Sequence, residues 1–169
     1  MSKPLITYFG TYGTTEKFAK TIHELIGGDL FEIEPAVSYD RNTAHYEQLA
    51  EYAKKERDND VRPEIKKFPN VSDYDYVFIG YPMWWYTYPQ IIRTFIESVD
   101  LKGKTIIPFN THEGSGDGGT YKELQRALPN SKVLIGLPLR GENIKSFDQK
   151  DVIKEWLNEL KIDWSENNE

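Results

Sequence analysis

Short apolar runs and amphipathic stretches alternate along this chain, so the period of the hydrophobic pattern switches repeatedly between strand-like and helix-like. Residues 5–9, 76–80, 105–109 and 132–137 are brief, nearly continuous apolar runs, and residues 30–34 alternate before Pro35. Such runs predict strands, the continuous ones buried on both faces of a parallel sheet. Between them, apolar side chains recur at helical spacing: Phe18, Ala19, Ile22, Leu25 and Ile26; Ile91, Ile92, Phe95, Ile96 and Val99; Tyr121, Leu124, Ala127 and Leu128; Val152, Ile153, Trp156, Leu157 and Leu160. Tyr46, Leu49, Ala50 and Ala53 do the same within a charged segment, which predicts an exposed amphipathic helix over about 40–58. Residues 57–73 read as a polar connection across the surface, and 161–169 as a loose tail. Five strands alternating with five helices predict an α/β fold, a parallel sheet covered by helices on both faces, with right-handed crossovers.

In such sheets ligands bind beyond the carboxyl ends of the strands, near the point where strand order reverses. Three unusual loops follow predicted strands. Gly10, Thr11, Tyr12, Gly13, Thr14 and Thr15 form a glycine and threonine turn into a helix, where free N–H groups and the helix dipole favour a phosphate. The same turn is also compatible with an ordinary helix start capped by Thr14 or Thr15. After the third strand come Pro82, Met83, Trp84 and Trp85, within an aromatic crowd that includes Tyr81, Tyr86 and Tyr88. Taken singly, these rings suit a core or a dimer interface; together they suit a wall against a flat ligand. After the fourth strand, Thr111, His112, Glu113, Gly114, Ser115 and Gly116 lead into a glycine-rich turn in which Asp117 is the expected helix cap. His112 is open to two readings, a base or an ordinary loop residue, and the sequence offers it no orienting partner.

Composition narrows the chemistry. With 169 residues, 38% hydrophobic and 28% charged, the chain suits one domain over 1–169 with a sizeable core. The absence of cysteine rules out disulfides, thiolate nucleophiles and iron–sulfur ligation, and the three histidines lack metal-ligand spacing. Redox chemistry would therefore need an organic cofactor. A net charge of −6 argues against nucleic acid and suits basic protein partners. No run spans a bilayer and the N-terminus has no secretory pattern, so no membrane is expected and a cytoplasmic location is.

The three loops, in this order and after strands one, three and four, resemble those of the flavodoxins over roughly residues 5–161. Tyr8 to Thr15 is similar to their phosphate loop, and Pro82-Met83-Trp84-Trp85 and Thr111-His112-Glu113-Gly114-Ser115-Gly116 to their two flavin-covering loops. Where the family commonly has Ser/Thr-x-Thr-Gly-Asn-Thr, this chain has Gly10, Tyr12 and Thr14 in place of serine, threonine and asparagine. The resemblance implies a flavodoxin-like three-layer α/β/α sandwich, a five-stranded parallel sheet in the order 2-1-3-4-5, and FMN at the switch point. It implies that residues 10–15 hold the phosphate, residues 82–85 cover the ring, and the backbone of residues 111–116 meets its pyrimidine edge. In many flavodoxins a glycine in the second loop lets a peptide turn toward the flavin on one-electron uptake; no glycine lies between Pro82 and Pro89 here. Three functions follow. An electron carrier between redox partner proteins is the leading one. An FMN-dependent NAD(P)H:quinone-type oxidoreductase is the alternative, and a cofactor-free binding module on the same fold is the third. Oligomeric state is left open.

Overall fold

The structure, a computed structural model, describes residues 3–164. β1 (Leu5–Tyr8), β2 (Asp29–Glu32), β3 (Tyr76–Pro82), β4 (Thr105–His112), β5 (Lys132–Val133) and β6 (Leu137–Arg140) form one parallel sheet in the order β2-β1-β3-β4-β5, with β6 also on β4. The order is the expected one. The sixth strand is additional: the single run predicted over 132–137 is broken into β5 and β6, which pair with opposite ends of the same strand. The break lies beside Pro108, which has no N–H to give to the edge ladder. Gly136 fills the gap, because an added Cβ there would stand 2.1 Å from the Pro108 carbonyl oxygen.

The helices are α1 (Thr14–Ile26), α2 (Tyr46–Asp58), α3 (Gln90–Ser98), α4 (Thr120–Ala127), α5 (Gly141–Ser146) and α6 (Lys150–Glu159). α5 has no counterpart in the sequence reading. The stretch expected as helix over 40–58 starts later, with a single 3-10 turn at Thr43–His45 capped by the Asn42 side chain. The cores on the two faces separate by helix. Phe18, Ala19 and Ile22 of α1 and Ile153, Trp156 and Leu157 of α6 pack with Ile6, Phe78 and Ile107 on one face. Ile91, Ile92 and Phe95 of α3 and Leu124 of α4 pack with Val77, Ile79 and Ile106 on the other, where Leu49 of α2 joins them. The expected loose tail is docked as far as Trp164, whose ring meets Tyr76 and Phe78 at 5.3 and 5.8 Å; residues 165–169 lie outside the described residues. Among the described residues no helix is long and apolar enough to cross a membrane.

The central strand is shaped by one glycine. Gly80 of β3 lies beneath the fully buried Phe109 ring, and a Cβ at Gly80 would be 2.2 Å from two of its carbons. Phe109 also packs against Phe18, with ring centroids 4.7 Å apart, which limits the room for it to move aside. Gly80→Ala should therefore overpack the core and destabilise the fold by about 1–3 kcal/mol. Urea unfolding should show a lower midpoint at an unchanged slope, with partial recovery when Phe109→Leu is added. An unchanged midpoint would show that the ring can move aside.

Candidate functional site

All three loops meet at the carboxyl edge of the sheet because neighbouring strands end at the same height. Pro82 pairs with Thr111 at the end of the β3–β4 ladder. Met83 N–H extends that ladder by donating to the Thr111 carbonyl at 2.9 Å. The Thr15 and Thr111 hydroxyls share a buried hydrogen bond of 3.0 Å, which ties the first loop to the third. The bond gives the Thr15 hydroxyl a partner within the protein, and either of the two hydroxyls can be its donor. Between the loops lies a cleft of about 570 Å³ lined by Tyr12, Met83, Trp84, Trp85, Tyr86, Glu113, Gly114 and Ser115, together with Tyr46, Leu49, Ala50 and Ala53 of α2.

The first loop carries its own surprise. Position N-cap of α1 is Gly13 in the left-handed region (φ 89°), with no side-chain cap, so neither Thr14 nor Thr15 caps the helix. The N–H groups of Tyr12, Gly13, Thr14 and Thr15 have no partner among the described residues. A Cβ on Gly13 would meet nothing within 4 Å, so this patch of donors is open on its outer side. Tyr12 leans on Tyr46 of α2 with ring centroids 6.3 Å apart, and its hydroxyl is buried without a partner among the described residues. Burial pushes the Tyr12 phenol above its ordinary pKa, so it stays a donor at neutral pH.

In the second loop only part of the expected aromatic wall is at the ligand edge. Tyr81 and Tyr88 are fully buried and stack edge to face at 5.8 Å, so they belong to the core. Trp84 meets Phe9 and Tyr39 edge-on at 5.3 and 5.2 Å and lines the base of the cleft. Trp85 and Tyr86 form a two-residue turn, closed by Trp84 N–H to Thr87 O at 2.9 Å and Thr87 N–H to Trp84 O at 3.3 Å. Both turn residues have positive φ, 51° and 65°, which is the type I′ hairpin geometry that normally favours asparagine and glycine. Strain of about 1–3 kcal/mol per residue is expected for side chains of this bulk. For Trp85 the offsetting contacts are visible. Its indole N–H donates to the Ala50 carbonyl at 2.6 Å, its carbonyl accepts from the Arg57 guanidinium at 3.0 Å, and Lys54 and Arg57 stand 5.3 and 5.8 Å from its ring.

Those contacts make α2 a wall of the site, which the sequence reading missed. The signal was present as the spacing 46, 49, 50, 53, one stripe of a helix, but it was assigned to an exposed element. Tyr39 secures the far end of α2 by donating to the Glu56 carboxylate at 2.7 Å, and burial lifts the Glu56 pKa.

The third loop is held from behind by a buried polar chain. Tyr121 O–H donates to the Asn110 side-chain oxygen, and the Asn110 amide donates to the Gly116 carbonyl at 2.9 Å. The Tyr81 and Thr120 hydroxyls are 2.7 Å apart, and Thr120 O–H reaches the Asp117 carbonyl at 2.6 Å. Asp117 thus contributes its backbone; the cap expected of its side chain is replaced by Gly119 at φ 79°. Gly114 and Gly116 have positive φ with open space where a Cβ would stand. Of the other expected site residues, Gly10 packs under Thr15, Thr11 is buried, and Pro82 ends β3 without lining the cleft.

His112 is placed by its backbone and not as a base. Its Nδ1 accepts the Gly114 N–H at 2.9 Å, which leaves the proton on Nε2 in the neutral ring. Burial, followed by the nearby Arg140, lowers its pKa, with Glu113 opposing. Between the ordinary value near 6.5 and this lower one the unfolded chain binds more protons, so the fold loses stability as pH falls through that window. Nitrogen NMR should show a neutral Nε2–H ring at pH 7 and a midpoint below 6.5. His112→Asn keeps an acceptor for Gly114 and should remove this part of the acid sensitivity; a midpoint above 6.5 would contradict the geometry.

A family model described as flavodoxin matches residues 3–160. A candidate flavoprotein from Bacteroides eggerthii is 35% identical, covers 96% of this chain and 100% of its own, and superposes with a TM-score of 0.83. Another candidate flavoprotein, from Bacteroides uniformis, is 34% identical over 93% of this chain and 98% of its own, with a TM-score of 0.81. A Lactobacillus acidophilus flavoprotein in complex with FMN shares the fold at 21% identity and a TM-score of 0.67, over 87% of this chain and 99% of its own. A comparison with curated proteins finds no match. The strand order, the placement of the loops and the family match over nearly the whole chain agree: the protein belongs to the flavodoxin family.

Proposed function

We propose that the chain binds FMN in this cleft and serves two-electron reduction of a small flat acceptor, in preference to carrying single electrons between proteins. When bound, FMN supplies reversible redox chemistry at its isoalloxazine ring. The residues fit that group. Unpartnered N–H groups from Tyr12 to Thr15, at the positive end of α1, suit a phosphate. The apolar and aromatic cleft beside Trp84 and Trp85 suits a ring, and the buried, unpartnered Tyr12 hydroxyl is a donor in need of an acceptor. The open backbone at Gly114 and Gly116 lets the main chain approach a polar edge.

The observation that carries the finer reading is the Arg57 bond to the Trp85 carbonyl. One-electron flavodoxins, by the resemblance, turn a peptide of this loop toward the flavin. Here the turn is closed at both ends by backbone hydrogen bonds, and the Trp85 carbonyl is committed to α2. A rotation would break a hydrogen bond to a charged group, worth about 1.5–3 kcal/mol. A fixed turn favours taking both electrons together. The net reaction is then transfer of two electrons and a proton from a reduced nicotinamide to a quinone, which takes its second proton from water. The net charge of −6 supports the carrier as a second reading, through docking to basic redox proteins.

The purified protein should take up FMN and bring its visible spectrum with it; failure to do so would leave the binding module. In a reductive titration of the FMN-loaded protein, the two electron steps should merge into a single transition, with oxidation of NADH or NADPH in the presence of 2-methyl-1,4-naphthoquinone. Arg57→Ala should pull the steps apart. Two well-separated steps in the wild type, with negligible nicotinamide oxidation, would favour the carrier.

A further inference from the structure

Among the described residues four non-glycine residues have positive φ, and three of them are accounted for locally. Asp60 is held through its side chain by Arg62 and Gln90. Lys161 lies just past α6, where its N–H donates to the Asn158 carbonyl. Trp85 is bound to Ala50 and Arg57 of α2. Tyr86 has no such account: its φ is 65°, its side chain is 75% exposed, and its phenol has no hydrogen-bond partner among the described residues. A glycine or asparagine there would close the same type I′ turn with less strain. Instead the position carries a large ring that gains almost nothing from burial in its own chain.

Backbone strain persists where something outside the local contacts depends on the side chain so placed. Tyr86 lines the cleft, and exposure rises along its wall from the half-buried Trp84 through Trp85 at 38% to Tyr86 at 75%. The inner rings are therefore positioned to cover the cofactor, and Tyr86 stands at the mouth, where a second reactant arrives. We propose that Tyr86 is the stacking platform for the electron acceptor, a planar uncharged aromatic of the quinone class, and that the turn is strained in order to present it. This inference rests on the FMN-dependent reductase reading above. The chemistry is ring against ring: a phenol face offers an offset stack to a flat electron-poor partner and offers little to a charged inorganic acceptor.

Tyr86→Gly and Tyr86→Phe test it, with 2-methyl-1,4-naphthoquinone as the planar probe and ferricyanide as the acceptor that does not stack. Tyr86→Gly should raise the melting temperature of the FMN-free protein by about 2–4 °C through relief of strain. It should raise KM for the quinone roughly three- to tenfold, a larger change than it makes in the Kd for FMN or in the rate with ferricyanide. Tyr86→Phe should keep the wild-type KM, since the face and not the hydroxyl is used. An unchanged quinone KM in Tyr86→Gly would overturn the proposal. So would an equal loss of FMN affinity, which would make Tyr86 a cover for the cofactor, or a fall in melting temperature, which would show that the turn is not strained. A wild-type protein that takes up no FMN, or reduces no quinone once loaded, fails before any variant is made and overturns the underlying reading with this one.

Discussion

The pairing of β3 with β4 is the constraint on which the site depends. Their register runs from Tyr76 opposite Thr105 to Pro82 opposite Thr111, and Met83 adds one more rung. Both strands are buried through their middle, so a one-residue slip would move a whole set of side chains between the two cores. That register puts the second and third loops at one height, and the Thr15 to Thr111 bond brings the first loop to them. The cleft is in this sense a product of the ladder: three connections with unrelated sequences share an edge because the strands beneath them are held in step.

What the sequence made legible was whatever the local pattern alone determines. The apolar runs at 5–9, 76–80 and 105–109 correspond to the inner strands, and strict alternation with helices implied a parallel sheet, whose order came from the resemblance to the flavodoxins. The loops could be located because a ligand edge follows from that topology. The parts that were not legible depend on contacts between segments distant in sequence. The split of the edge strand lies where Gly136 passes close to Pro108 on the neighbouring strand, a contact that residues 132–137 read by themselves do not show. Tyr81 and Tyr88 are indistinguishable from Trp85 and Tyr86 by composition, and only the fold separates core rings from cleft rings. The stripe Tyr46, Leu49, Ala50 and Ala53 has the same spacing whether it faces a core or a cleft. The caps differed for a local reason: Gly13 and Gly119 adopt left-handed conformations at helix starts, where the sequence offered threonine and aspartate as the more usual choices.

Helix α2 changes the meaning of the aromatic loop. Without it, two bulky residues at positive φ would be hard to understand on an exposed hairpin. With it, Trp85 is bonded through indole, carbonyl and ring face to Ala50, Arg57 and Lys54, and the turn has a fixed backing. A rigid cover is well suited to a reaction in which the ring environment need not change between electrons, and poorly suited to one in which a peptide must rotate. The buried chain from Tyr121 through Asn110 to Gly116 gives the third loop a comparable stiffness from the opposite side. The first loop is the least committed of the three, with donors open and the Tyr12 hydroxyl unpartnered among the described residues, an arrangement that suits the proposed anion site.

On this view a preformed cleft, backed by α2, receives FMN without rearrangement of the Trp85–Tyr86 turn. A crystal structure of the protein grown with FMN is the decisive measurement. It should show the phosphate at the N-terminus of α1, the ring between the Trp84–Trp85 side and residues 113–115, and the Arg57 bond to the Trp85 carbonyl intact. A flavin bound elsewhere, or a turn opened with that bond broken, would contradict it.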